Sequence, residues 1–376
     1  MDNLLRVLVV DDMALYRKLL SDLINEIPGV EVVGTAPDGK IALDKISRDR
    51  PDAVTLDIEM PVLDGLETLR VLKTWKSPPK TIVVSAHTSE GAVKTMEALD
   101  SGAYEFITKP DGGDMGRNRE RLQKKLRSIF AGLAVKSKAG ATRVPVGSVV
   151  GGRSIGPAAP VGPTAATAGL AAEIAGKTAE IAGQTAEIVA IAVSTGGPKA
   201  LNEVIPRLPQ DLPVPVVVVL HIPMEFTAAL VNSLDRKSAV TVKIGEEGMA
   251  LDAGTVYFAP GGRQMKIEAS RSGKPALIRV TDDPPENYCQ PSADYLMRSV
   301  AVNYGERSLG IIMTGMGDDG VQGLRLMKGE GATIIAQDEE SSVVFGMPLE
   351  AVKAGIVDLL APLRSISHLI VERVKG

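Results

Sequence analysis

Leu4-Leu5-Arg6-Val7-Leu8-Val9-Val10-Asp11-Asp12 decides the fold of the first third of the chain. Seven residues almost without a polar break lack the alternation of a half-exposed strand, so they predict a strand buried on both faces. Two aspartates follow where that strand must end. Leu15, Leu19, Leu23 and Ile27 then recur every four residues and predict a helix with one apolar face. The pattern repeats outward, with strands expected at 30–36, 53–56, 81–85 and 105–108, alternating with helix-like stretches. Five βα units predict a parallel, doubly wound sheet.

Beyond residue 130 the composition changes. Residues 131–187 hold 15 Ala, 10 Gly and 4 Pro among 57 residues and no aromatic side chain, which cannot build a packed core. A duplicated heptad, Ala172-Glu173-Ile174-Ala175-Gly176-Lys177-Thr178 and its near copy from Ala179, carries one Ile and one Gly per repeat. That is a spacer rather than a coiled-coil seam. From 188 the α/β alternation resumes, with strands expected at 188–193, 214–220, 256–258, 309–314 and 333–336. The expected architecture is therefore α/β: two doubly wound parallel-sheet domains, 1–130 and 188–376, joined by a flexible linker, 131–187.

The 376 residues carry 42 Lys+Arg against 46 Asp+Glu, a net charge of −4, and only 3% are aromatic. Neither a positive surface nor stacking side chains are abundant, so nucleic acid is not the expected partner. One cysteine, Cys289, excludes an intrachain disulfide, and one Cys with three scattered His (His87, His221, His368) argues against a structural zinc site. No apolar run reaches the ~18 residues of a membrane span, and the start lacks the positive segment of a signal peptide. A soluble, cytoplasmic monomer is expected.

The strand ends carry the chemistry. Asp11 and Asp12 follow the first strand, Asp57 the third, Ser85 ends the fourth and Lys109 follows the fifth. In a parallel sheet these positions converge on one edge. Clustered carboxylates want a hard cation such as Mg²⁺, and an aspartate beside Mg²⁺ and Lys can accept a phosphoryl group. Val9-Val10-Asp11-Asp12, Leu56-Asp57-Ile58-Glu59-Met60-Pro61 and Thr108-Lys109-Pro110 resemble the signatures of a response-regulator receiver domain of flavodoxin-like fold. The resemblance implies that Asp57 is the phosphoacceptor. It implies that Asp11, Asp12, Asp57 and the Glu59 backbone carbonyl hold Mg²⁺, that Ser85 is the switching hydroxyl, and that Lys109 contacts the phosphoryl group. Phe106 stands at the family's switch aromatic, with a plain core phenylalanine as the equal alternative. A histidine kinase is the implied phosphodonor.

In the second α/β region Ser194 follows a strand and precedes Thr195-Gly196-Gly197-Pro198, a strand–turn–helix like a nucleophile elbow, although Ala192 stands where G-x-S-x-G needs glycine. A helix-capping serine is the alternative. His221 follows the next buried strand, and Asp318-Asp319 follow another through Gly315-Met316-Gly317. An acid there could orient the histidine, which could take the serine proton, and the Gly-rich turns could bind an oxyanion. Gly315–Gly320 also fits G-x-G-x-x-G with Asp338 downstream. Too few residues follow for a dinucleotide fold, however, and two aspartates would face a pyrophosphate. Cys289 is a conceivable nucleophile, but no histidine neighbours it in sequence.

Ser194-Thr195-Gly196-Gly197-Pro198, His221-Ile222-Pro223, Pro291-Ser292-Ala293-Asp294, Thr314-Gly315-Met316-Gly317-Asp318-Asp319-Gly320 and Val344-Phe345-Gly346-Met347-Pro348 resemble the chemotaxis protein-glutamate methylesterases of the CheB family. This implies a Rossmann-like methylesterase with Ser194 as nucleophile, His221 as general base and Asp319 as orienting acid. It implies an oxyanion hole from the N–H groups of Met316 and Thr195, and no cofactor for the esterase. The implied substrates are methylated glutamates and certain glutamines of methyl-accepting chemotaxis receptors. By the same resemblance the unphosphorylated receiver packs over the esterase site. A receiver with a non-enzymatic output module is the competing class. Gln290 departs from the family's usual basic residue before Pro291.

Overall fold

The computed structural model describes residues 4–109, 115–140, 185–269 and 275–375. The heptad repeat at 172–184, most of the expected linker, and Pro110 lie outside the described residues.

The first domain runs β1 (Leu5–Val10), α1 (Ala14–Asn25), β2 (Val30–Ala36), α2 (Gly39–Asp49), β3 (Ala53–Asp57), α3 (Gly65–Lys73), β4 (Lys80–Ser85), α4 (Ser89–Asp100), β5 (Glu105–Thr108) and α5 (Met115–Gly140). The strands pair in parallel in the order β2-β1-β3-β4-β5, the flavodoxin-like order. β1 and β3 are buried along nearly their whole length, as continuous apolar runs in a two-sided sheet must be. Helix starts follow local signals: Asp64 caps α3 in a reciprocal capping box with Glu67. α5 runs ten residues past the expected start of the linker.

One expectation is corrected in α1. Its buried face is Leu20, Leu23 and Ile24, while Leu15 is 71% exposed and Ile27 lies beyond the helix end. A strict spacing of four drifts by about 40° per step around a helix of 3.6 residues per turn, so Leu15 has rotated off the face that Leu23 buries.

The second domain runs β6 (Ile188–Val193), α6 (Gly197–Val204), β7 (Val216–Leu220), α7 (Met224–Lys237), β8 (Thr241–Ile244), β9 (Thr255–Phe258), β10 (Gln264–Glu268), β11 (Leu277–Thr281), α8 (Ala293–Tyr304), β12 (Ser308–Ile312), α9 (Val321–Gly329), β13 (Thr333–Gln337), α10 (Met347–Lys353), β14 (Leu359–Ala361) and α11 (Leu363–Lys375). Seven strands form one parallel sheet in the order β14-β13-β12-β6-β7-β9-β8, and β10-β11 make a separate antiparallel hairpin. From β6 the chain first builds towards β7, β9 and β8, then crosses to β12, β13 and β14. The switch point therefore lies between β6 and β12, and open α/β sheets bind ligands outside the strand ends at that point.

The two sheets do not stand apart. Phe106 on β5 stacks on Phe226 of α7, with centroids 5.0 Å apart and planes 14° off parallel. Glu105 of β5 accepts the Gly196 N–H, and Lys237 of α7 pairs with Asp100 at the end of α4 at 2.6 Å. A Cβ on Gly132 would meet the Val343 carbonyl at 2.5 Å, so α5 lies directly against the loop after β13.

Candidate active site

Strand register brings the candidate residues of the second domain together. Val193 of β6 pairs with Leu220 of β7, so Ser194 and His221, each one residue further, emerge side by side. The Ser194 N–H bonds the Thr314 carbonyl at 3.0 Å, which ties the end of β6 to the turn after β12. That approach needs a bare backbone, since a Cβ on Gly315 would lie 2.9 Å from the Ser194 Cβ. Gly196 continues the turn at φ +82°, a conformation that favours glycine, and its N–H starts the polar end of α6.

His221 Nε2 lies 2.7 Å from Asp319 Oδ2. Asp319 is buried, and it also accepts Ser292 Oγ–H at 2.7 Å, the Ala293 N–H at 2.7 Å and the Asp294 N–H at 3.1 Å. The carboxylate thus sits on the N-terminus of α8, where the helix dipole and free N–H groups favour an anion. Burial alone would raise its pKa, but the hydrogen bonds from His221, Ala293 and Ser292 prevail and hold it below the usual carboxylate value. Burial opposes a charged His221, but Asp319 and the neighbouring Cys289 outweigh it and push the imidazole up to about 9.

Ser194, Thr195, His221 and Met316 line one cavity of about 180 Å³. The opposite wall comes from the first domain: Glu105, Phe106, Arg121, Lys124 and Lys125. Lys125 Nζ stands 4.5 Å from the Phe106 ring centroid, and burial pushes its pKa down.

At the other sheet edge, ligand oxygens of Asp11, Asp12 and Asp57 lie within 4.8 Å of one another. Lys109 Nζ is 2.8 Å from Asp57 Oδ2 and 3.0 Å from Asp11 Oδ2. Asp11 Oδ2 is buried and, although near that charge, has no aligned hydrogen-bond donor. Three carboxylates facing a single ammonium leave negative charge unbalanced, which fits a hard divalent cation. Burial raises Asp57 to about 6 against the pull of Lys109. Ser85 Oγ donates to the Gly91 carbonyl at 3.1 Å, and the Glu59 side chain is held by Lys94 at 2.9 Å.

A receiver-domain family model, "Response regulator receiver domain", matches residues 7–119, and "CheB methylesterase" matches 189–370. Along its whole length the chain is similar to a protein-glutamate methylesterase/protein-glutamine glutaminase of Desulfotalea psychrophila, 46% identical over 371 residues and 99% of each chain. The chain belongs to the CheB methylesterase family. A Bacillus subtilis CheB relative of the same name is 40% identical over 377 residues, again 99% of both chains. The crystal structure of the Thermotoga maritima CheB methylesterase catalytic domain is 38% identical, covering 50% of this chain and 98% of that one at a TM-score of 0.49.

Of the residues expected from the sequence, Ser194, His221 and Asp319 meet at one switch point, with Thr195 and Met316 beside them. Ser292 and the backbone of 293–294 belong to the Pro291–Asp294 motif, to which the resemblance gives no site role. The available signal was Ser292 as an N-cap: its hydroxyl accepts the Tyr295 N–H and donates to Asp319. Cys289, remote from any histidine in sequence, lies within 4.8 Å of both His221 and Asp319. His87 faces Phe226 edge-on at 6.1 Å across the domain boundary. His368 is exposed on α11.

Proposed function

We propose that this chain is a phosphorylation-activated methylesterase that hydrolyses glutamate methyl esters on methyl-accepting chemotaxis receptors and deamidates selected receptor glutamines. The observation that carries the reading is the pair of buried Asp319 and half-buried His221 opening onto the cavity that holds Ser194. Ser194 Oγ attacks the side-chain carbonyl as His221 takes its proton. Asp319 fixes the imidazole tautomer and stabilises the imidazolium. The N–H groups of Thr195 and Met316 receive the oxyanion, and His221 returns the proton to the leaving methanol or ammonia. Water, deprotonated by His221, then frees glutamate and Ser194. A positioned base contributes about 10²–10⁴-fold to such steps.

Control lies in the first domain, 1–130, which walls the cavity from solvent. Asp57 accepts a phosphoryl group from a histidine kinase. Asp11, Asp12 and the Glu59 carbonyl would hold Mg²⁺, which when bound neutralises phosphoryl oxygens. Lys109 pairs with Asp57 and ends the strand that carries Glu105 and Phe106, so a change at Asp57 is transmitted along β5 to the interface, with Ser85 and Phe106 repositioned. Residues 131–187 act as the tether. Among the described residues no helix is long and apolar enough to cross a membrane, in keeping with a cytoplasmic monomer that meets the membrane only through its receptors. Methanol release from methylated receptor membranes tests the reading. It should rise when a phosphodonor is added and vanish in Ser194→Ala; release that survives in Ser194→Ala removes the assignment.

A further inference from the structure

The His221–Cys289–Asp319 cluster brings a nitrogen, a sulfur and an oxygen ligand together at the active site, and catalysis as described uses only two of the three. We propose that these residues form an inhibitory site for a borderline-soft divalent cation, Zn²⁺ above all. The inference rests on the esterase reading for its inhibitory consequence, but not for the metal site itself.

The donor set selects the ion. Thiolate and imidazole favour zinc over magnesium, and a tetrahedral ion would take three protein ligands and leave a fourth position open. Bonds of about 2.0–2.3 Å to zinc place ligand atoms roughly 3–4 Å apart. The three side chains already offer ligand atoms that all lie within 4.8 Å of one another, which leaves an adjustment of roughly 1 Å to the bonded spacing. Charge agrees: the carboxylate and a thiolate together balance the two positive charges of the ion. Valence agrees as well. A carboxylate has about four accepting positions. Three on Asp319 are held by Ser292, Ala293 and Asp294, which lock it in place, and the fourth is the one His221 uses. An ion would take that fourth position. Cys289 is only partly buried, on a tight turn where its N–H and carbonyl both bond Glu286, so an ion has access from solvent.

Binding needs a thiolate and a neutral imidazole, so the protons carried by the Cys289 thiol and by the His221 imidazolium are released to solvent as the metal–sulfur and metal–nitrogen bonds form. The imidazole nitrogen that coordinates the ion gives up its hydrogen bond or its lone pair, so His221 can no longer take the Ser194 proton. The site is therefore a brake, distinct in kind from the structural zinc that the cysteine and histidine counts argue against.

The test uses the full chain in a Mg²⁺ buffer, so that the carboxylates of the first domain are supplied with their own ion. Co²⁺ should give a near-ultraviolet thiolate-to-metal band. Equimolar Zn²⁺ should suppress methanol release, and a chelator should restore it. Cys289→Ala should still release methanol without metal, with its pH profile moved to lower pH because one of the groups that raise His221 is gone, and it should lose the band and need at least about 10- to 100-fold more Zn²⁺ for the same inhibition. Absence of the band in the intact chain overturns the proposal, as does zinc inhibition equally strong in Cys289→Ala. A band in a chain that releases no methanol under any condition would keep the metal site and remove the esterase reading instead.

Discussion

His221 meets two opposed demands. Burial disfavours its charge, yet Asp319 and Cys289 favour it more, and the outcome is an imidazole, the proposed general base, whose pKa is pushed up to about 9. A general base must be neutral to accept a proton, so methanol release should climb with pH and level off above about 9. In Asp319→Asn that rise should move to lower pH, and the maximal rate should drop by about 10⁴-fold because the tautomer is no longer fixed; a pH–rate profile of both proteins checks it. The stability sign follows the same pair. The folded pKa lies above the unfolded value of about 6.5, so the ion pair's stabilisation is fully present below pH 6.5 and is lost as pH rises through about 9. Denaturant midpoints across that window should fall in the intact chain and stay flatter in Asp319→Asn. Ser194, His221 and Asp319 were legible because each combines a reactive side chain with a strand end. Cys289 was not, since its relation to His221 exists only after a turn between β11 and α8 folds back over the sheet edge.

Among the elements, α8 does the most for the site. Its N-terminus supplies two N–H groups and, through Ser292, a hydroxyl to Asp319. Ser292→Ala removes an N-cap worth about 1 kcal/mol and one of the four bonds that hold the carboxylate. Methanol release should therefore fall about tenfold, the equivalent of ~1.4 kcal/mol, with a lowered thermal midpoint; an unchanged rate would mean that the two N–H groups alone position Asp319. The element level was only partly readable in advance. Central strands such as β6, β7 and β12 show as unbroken apolar runs because both faces are covered. β8, with alternating burial, and the three-residue β14 are sheet edges, and the β10–β11 hairpin carries Lys266, Glu268 and Arg279 among its apolar residues. Half-exposed short strands lose the run that marks a central one, and their pairing is decided by neighbours far along the chain.

At the scale of the molecule, the question is which contacts hold the first domain over the cavity. The Lys237–Asp100 pair is short but more than a third exposed on both sides, and such pairs contribute ~0–1 kcal/mol. Glu105 is different: it is 1% exposed, and one carboxylate oxygen accepts the Phe106 N–H while the other accepts the Gly196 N–H across the boundary. Nothing in the sequence pairs residues 105 and 196, because each sits at the end of its own sheet and they meet only once the two sheets dock. In Glu105→Ala the closed arrangement keeps a buried Gly196 N–H without an acceptor and Lys125 without its nearby carboxylate, whereas in the open arrangement water satisfies both. A lost hydrogen bond to a charged group amounts to about 1.5–3 kcal/mol, so the open population should grow about 10- to 100-fold. Basal methanol release without phosphodonor should rise accordingly, and the further gain on phosphorylation should shrink by the same factor, since both act on one equilibrium. Lys237→Ala should change either quantity by no more than about fivefold on the exposed-pair estimate. Measured side by side, equal effects from the two variants would show that the exposed ion pair, and not the buried carboxylate beside Ser194, latches the domains.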